Sequence, residues 1–259
     1  MAAPGLAWLL RLARPLALGA VQGLTEFLPV SSSGHLVLAE MLLGVRRPGL
    51  ALETGLHLGT LLSVVLAYRR TLRHDLAELW PALVLATLPA GLGGLLLRGV
   101  VERLFDRPAA VAVGLALTGA LLLAAARRPP GERPARSLRA ADALWIGGMQ
   151  VLALAPGVSR SGSTIAAGLR RDLSPPEAAR FSFLLSLPAV GGAAVLHLGA
   201  LAAAPGSLGI AAGAAAAALT GWWALRHCVA AVRRGGLRPF AWYCLGVAAL
   251  VLLRFALRW

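Results

Sequence analysis

Apolar runs long enough to cross a bilayer recur along the whole chain, roughly at 52–68, 82–97, 109–126, 181–203, 208–232 and 240–257. A crossing helix needs about 17–25 mostly apolar residues. Backbone in hydrocarbon must satisfy its own hydrogen bonds, which leaves helices or closed barrels. Uninterrupted runs of this length select helices. A soluble domain of 259 residues would also need more polar surface than this chain has, with 14% of residues charged and 58% hydrophobic. The fold class expected is an all-α polytopic membrane protein, a single membrane domain over 1–259 with about six transmembrane helices.

Two further apolar regions, about 5–43 and 142–169, are interrupted near their middles by LPVSSSGH and APGVSRSG. Each half reads as too short to cross. Broken helices at membrane depth are tolerated where they are buried in protein or line a cavity. Both regions are therefore expected to be re-entrant helix–loop–helix hairpins. They also resemble each other: Gln22, Val30, Ser31, Ser33 and Gly34 meet Gln150, Val158, Ser159, Ser161 and Gly162 at a constant offset of 128 residues. The chain reads as two copies of one unit, a hairpin followed by three spans: a first repeat, 1–128, and a second, 129–259. Three spans is an odd number, so the second copy must be inverted. Inverted repeats place a shared site near the midplane, where the broken helices meet. The polar stretch RRPPGERPARSLRAAD (127–142) reads as the hinge between copies.

All 25 basic residues are arginine, and the net charge is +14. They cluster at the ends of the apolar runs, the placement of a membrane protein and not of a nucleic-acid binder. Fifteen fall on the side that carries Arg69, Arg127 and Arg233; nine, Arg46, Arg47 and Arg258 among them, fall on the other, with Arg160 set aside. The richer side is expected to be cytoplasmic, which puts both termini outside. The first run has no charged segment before it and is interrupted by Arg11 and Arg14, so it is expected to be retained and not cleaved. Cys228 and Cys244 lie in apolar segments and give no metal framework.

The first break concentrates chemistry. Gln22 and Glu26 are four apart and share a helix face. Ser31, Ser32 and Ser33 follow, and His35 stands three residues beyond Ser32, within reach of its hydroxyl on a helix N-terminus. A hydroxyl beside a positioned base is the minimum for nucleophilic catalysis, and a carboxylate can orient the imidazole, take a proton or hold a divalent cation. Serines at helix starts are also ordinary caps. Depth shifts the balance, because an intramembrane carboxylate points to function. The second break, PGVSRSGST (156–164), opens a helix with backbone N–H groups, the hydroxyls of Ser159, Ser161 and Thr164, and the Arg160 guanidinium. Arginine holds phosphate oxygens bidentately, so the loop reads as an anion cradle; snorkelling, or pairing with Glu26, is the plainer role for Arg160. Together the two breaks imply a phosphate-handling site reached by a lipid, without separating hydrolysis from transport.

GAVQGLTEFLPVSSSGHLVL (19–38) and APGVSRSGSTIAAGL (155–169) resemble the two signature motifs of the bacterial undecaprenyl-diphosphatase family of the bacitracin-resistance type. HLGTLLSVVLAYR (57–69) and ARFSFLLSLPAVGGA (179–193) resemble the segments that follow them. The resemblance covers essentially the whole chain. It implies hydrolysis of undecaprenyl diphosphate to undecaprenyl phosphate and phosphate, which recycles the lipid carrier for peptidoglycan in a bacterial plasma membrane. It implies a divalent cation, magnesium or calcium, for which Glu26 is the candidate ligand. The family's paired acidic motif falls on Gln22 and Glu26, its serine-rich stretch on Ser31, Ser32 and Ser33, its histidine on His35, and its second motif on Ser159, Arg160, Ser161 and Thr164. Ser33 stands where threonine is common, and His57 where glutamine is common; a packing or polar-network role is expected for His57. The mechanism expected has Ser32 attack the terminal phosphorus with His35 as base, Glu26 and Gln22 orienting, and access from outside the cell. His35 as nucleophile, an activated water, and a polyprenyl-phosphate transporter stay open as alternatives. A homodimer is compatible with this reading.

Overall fold

The computed structural model describes residues 4–44, 49–204 and 208–257. Arg46, Arg47 and Arg258 lie outside these residues. The described chain is helical throughout, as expected, with one isolated pairing of extended residues, Arg133 with Leu173. Six helices are long and apolar enough to span a membrane: α3 (Leu50–Tyr68), α4 (Leu72–Leu96), α6 (Pro108–Ala126), α9 (Pro175–Leu196), α11 (Leu208–Arg233) and α12 (Arg238–Ala256). The protein is an all-α, multi-pass membrane protein. Two broken pairs accompany them, α1 (Pro4–Phe27) with α2 (Ser32–Leu43), and α7 (Ala140–Leu152) with α8 (Arg160–Arg170). Short helices α5 (Arg98–Phe105) and α10 (Leu198–Ala203) complete the order.

Local chemistry sets many of these boundaries. Proline, whose missing N–H costs nothing in a first turn, begins α6 and α9 and is the second residue of α12. Gly44 ends α2 in the left-handed conformation, φ 61°. Three of the four half-helices are short, at 12, 13 and 11 residues. The fourth, α1, departs from expectation. It has 24 residues, about 36 Å at 1.5 Å per residue, so by length it reaches across a bilayer. Its helix continues through Pro15 and past Arg11 and Arg14, so the first half of this region is not the short segment expected. The span expected at 82–97 likewise starts earlier, at Leu72, and the one expected at 181–203 runs from Pro175 to Leu196 with α10 separate.

Small residues let the helices close up, as in membrane helix pairs generally. A Cβ on Gly19 would lie 2.1 Å from the Gly213 carbonyl oxygen, and one on Gly59 would lie 2.2 Å from that of Ala214. The alanine-rich α11 is thus gripped between α1 and α3. Behind the first break, Phe27 meets Phe183 edge to face, with ring centroids 5.6 Å apart. These rings join Val64, Leu122, Ile165 and Leu225 in one core. Helix α8 is buried along Ser161–Gly168, so the second broken pair sits inside the bundle.

The stretch 127–142 is no loose hinge. Arg133 N–H donates to the Asp172 carbonyl and Ser174 N–H to that of Arg133, while Ala135 N–H donates to Glu177 at 2.8 Å. Buried Asp142 accepts from Arg133 (3.1 Å), Arg171 (2.5 Å) and the Arg139 N–H (3.1 Å). Burial opposes its ionisation, but these donors outweigh burial and hold its carboxyl below the usual carboxylate range. A depressed folded pKa contributes stability above the ordinary value near 4, and that contribution is lost as pH falls through the folded value. Asp142→Asn should therefore cost about 1–3 kcal/mol at pH 7. Thermal unfolding in detergent should show the gap from wild type closing as the pH is brought down below about 4.

Candidate active site

Ser31 and Ser159 open α2 and α8 in the same way. Each caps its helix, the side-chain oxygen accepting from the N–H three residues on: Gly34 at 3.3 Å and Gly162 at 3.0 Å. Each hydroxyl also lies against that of the serine two residues on, Ser33 at 3.3 Å and Ser161 at 3.2 Å. Helix N-termini so arranged present N–H groups that favour anions. The two breaks differ in where the strain sits. Ser31 is a non-glycine residue at φ 72°, whereas the second break places Gly157 at φ 88°. Such backbone on a serine is costly and persists only where its surroundings enforce it.

Those surroundings are the other break and α6. A Cβ on Gly34 would lie 3.0 Å from Gly157 Cα, and Ser161 donates to the Leu28 carbonyl at 3.2 Å. Gly114 of α6 comes so close that a Cβ there would lie 2.2 Å from the Pro156 oxygen. Thr118 donates to the Gly157 carbonyl at 2.8 Å and accepts from Ser159 N–H at 2.9 Å. The two loops are therefore packed together, with α6 behind the second.

Glu26 sits at their junction, 7% exposed. Arg160 Nη2 donates to its Oε1 at 2.5 Å, while Gln22 (3.1 Å) and the Ser32 hydroxyl (2.7 Å) donate to its Oε2. Arg160 Nη1 donates to the Ser182 carbonyl at 2.9 Å. Two buried atoms of this cluster keep unused capacity: Gln22 Oε1, an acceptor, and Arg160 Nε, a donor. Among the described residues, no three His, Cys, Asp or Glu side chains converge as a metal cluster.

The chain matches the family described as "Bacitracin resistance protein BacA" over residues 15–250. It belongs to that family. It is 43% identical to the undecaprenyl-diphosphatase of Rubrobacter xylanophilus, across 94% of this chain and 98% of that protein. It is 40% identical to the undecaprenyl-diphosphatase of Gemmatimonas aurantiaca, across 94% and 97%. A third, from Carboxydothermus hydrogenoformans, is 39% identical across 92% and 95%.

In this BacA-family chain the residues singled out from sequence share one locality, with two differences of detail. The Ser32 hydroxyl gives its hydrogen bond to Glu26 and not to His35, although three-residue spacing put the imidazole in reach. His35 is engaged elsewhere: Nδ1 meets the Ser31 carbonyl at 2.8 Å and Nε2 meets the Tyr243 hydroxyl at 2.8 Å. A carbonyl only accepts, so Nδ1 carries the proton of the neutral ring and Nε2 accepts from tyrosine. The His35 and Tyr243 rings lie 11° from parallel. Thr164 points into the protein, hydrogen-bonded to the Arg160 carbonyl (2.8 Å) and the Ser182 hydroxyl (2.7 Å). It braces Arg160 from behind. His57 bonds the Glu53 carbonyl of its own helix. Tyr243, Ser182 and Thr118 are the participants that sequence reasoning missed. Tyr243 and Thr118 lie in apolar runs without a motif, and Ser182 lies in the segment after the second motif, where only apolar character stood out.

Removing one member of a buried ion pair leaves the other uncompensated, which is more damaging than removing both. Glu26→Gln and Arg160→Met should each lower the unfolding temperature, and the double variant should lose less than the sum. A double-mutant cycle by thermal unfolding is expected to give a coupling of about 1–3 kcal/mol.

Proposed function

We propose that this protein is an integral-membrane phosphatase that hydrolyses undecaprenyl diphosphate to undecaprenyl phosphate and inorganic phosphate. It would thereby recycle the lipid carrier of peptidoglycan synthesis in a bacterial plasma membrane, with bacitracin resistance as a consequence. Membership of the BacA family and the names of its relatives support this reading. The observation that carries it at the level of chemistry is Glu26, which takes the Ser32 hydroxyl and the Arg160 guanidinium on its two oxygens.

In this reading the polyprenyl tail lies against apolar helices, and the diphosphate reaches the junction of the breaks from the periplasmic side. The two repeats, 1–128 and 129–259, are inverted copies that each contribute one break. Arg160, with the hydroxyls of Ser159, Ser161, Ser31 and Ser33 and the helix N-termini, neutralises the phosphates; such fixed charge is the main lever in phosphoryl transfer. Thr164 acts through Arg160. As phosphate oxygens take up the guanidinium, Glu26 loses its cation and becomes a stronger base for the Ser32 proton it already faces. Ser32 Oγ bonds to the terminal phosphorus, and the bridging P–O bond breaks, releasing undecaprenyl phosphate. Water then attacks the phosphoserine to release phosphate, and the Ser32 oxygen recovers a proton from Glu26.

His35, held by Ser31 and Tyr243, keeps an imidazole at the rim of the site for proton exchange. A divalent cation suits the oxygen donors present. The unused Gln22 Oε1 would hold it with the substrate phosphates, while Glu26, the ligand expected from the sequence, would stay the base for Ser32. It would add positive charge on the phosphate oxygens.

Phosphate release from a prenyl diphosphate by purified protein with magnesium is the assay. Ser32→Ala and Arg160→Ala should each lower kcat by roughly a thousandfold or more. Tyr243→Phe should lose roughly tenfold and shift the pH profile, because it frees His35 Nε2 without removing it. Full activity in Ser32→Ala would overturn the assignment.

A further inference from the structure

The end of the bundle that carries the arginine excess has a groove of about 1010 Å³, separate from the site just described. It runs between the end of α3, the start of α9 and the last turns of α11. Its walls are apolar and open to the surroundings, with Leu66 45%, Leu219 72% and Trp222 39% exposed. Its mouth is cationic, lined by Arg69 and Arg70 on one side and by Arg226, Arg233 and Arg234 on the other. The carboxylate there, Glu177, already serves Arg180 and the Ala135 N–H. Arg180 is in turn engaged by Asp75 and Glu78. Among the described residues, none of the five mouth arginines enters an ion pair. Arg226 lies over the Trp222 ring at 4.8 Å, a cation–π contact that sets the guanidinium at the groove edge.

Arginines at helix C-termini can be explained by capping and by the helix dipole. Here, among the described hydrogen bonds, the side chains of Arg69, Arg70, Arg233 and Arg234 donate to no helix carbonyl. Two arginine pairs, one after α3 and one at the end of α11, neither in an ion pair among the described residues, therefore border the same apolar groove. Basic pockets between spans on the arginine-rich side are built for anionic headgroups. Free phosphate would use the arginines and leave the apolar walls idle, whereas an anionic phospholipid uses both.

We propose that this groove is a binding site for an anionic glycerophospholipid of the inner leaflet. Its phosphodiester is held by Arg69, Arg70, Arg233 and Arg234, and an acyl chain lies along Leu66, Leu219 and Trp222. The lipid bridges the ends of α3 and α11, the two helices that grip each other through Gly59 and Ala214. It is a resident lipid, not a substrate.

Native mass spectrometry of the purified full chain, incubated with phosphatidylglycerol or phosphatidylcholine, tests this. Wild type should retain phosphatidylglycerol at least about tenfold better than phosphatidylcholine. Replacing Arg69, Arg70, Arg233 and Arg234 by Gln should reduce that preference to below about threefold, and replacing them by Lys should keep most of it. Replacing Arg127, Arg128, Arg136 and Arg170 by Gln removes the same charge from the same end outside the groove and should leave retention unchanged. Phosphatidylglycerol should also raise the unfolding temperature of wild type but not of the groove variant, which shows that the latter is folded and blind to the lipid. Equal retention of the two lipids, or an equal loss in both Gln sets, would overturn the proposal. So would displacement of phosphatidylglycerol by an equimolar polyprenyl phosphate, which would make the occupant a prenyl lipid.

Discussion

The contact between Glu26 and Arg160 is the constraint around which the centre of this protein is arranged. Each charge alone would be costly in a membrane interior, and each comes from a different break, 134 residues apart in sequence. Pairing them requires the two loops to touch, and the touching requires residues without side chains. Gly34 against Gly157, and Gly114 against Pro156, are the places where a Cβ would push the loops apart. The serine caps follow from the same need. A helix that starts inside the bundle must satisfy its first N–H groups locally, and Ser31 and Ser159 do so with one geometry.

That arrangement is also poised for phosphate. The guanidinium that steadies Glu26 in the free protein is the group best suited to a diphosphate. A ligand that takes it therefore changes the basicity of the carboxylate next to the Ser32 hydroxyl. Rigid support makes the exchange local. Phe27 and Phe183 pack immediately beneath, Thr164 and Ser182 brace the arginine, and Thr118 ties the second loop to α6.

Much of this was legible from the residues. Run length and breaks gave the helical membrane class, and the 128-residue offset marked Ser31 and Ser159 as equivalent before their matching caps were seen. The locality of Gln22, Glu26, Ser32 and Arg160 was legible because polar residues at membrane depth need partners. The partner of Ser32 was not. Spacing placed His35 within reach of the hydroxyl and left Glu26 to orient the imidazole, and only the path of the chain through the strained Ser31 turn decides that the hydroxyl faces the carboxylate. Tyr243 was hidden because an aromatic in an apolar span looks the same whether it faces lipid or a histidine. The length of α1 was hidden because its apolar run is halved at LPVSSSGH and interrupted by Arg11 and Arg14, although the helix continues past both arginines. The pinning of 127–142 was hidden because its partners, Arg171, Asp172 and Glu177, lie far along the chain and no local pattern marks them as partners.

The central claim is that Glu26 readies Ser32 to bond phosphorus, and the covalent intermediate tests it most directly. Purified protein would be quenched early in turnover of a prenyl diphosphate labelled in its terminal phosphate, and the labelled peptide mapped. The account predicts label on Ser32 in wild type and its disappearance in Glu26→Gln. Label on His35, or turnover with no labelled protein at any time, would contradict it.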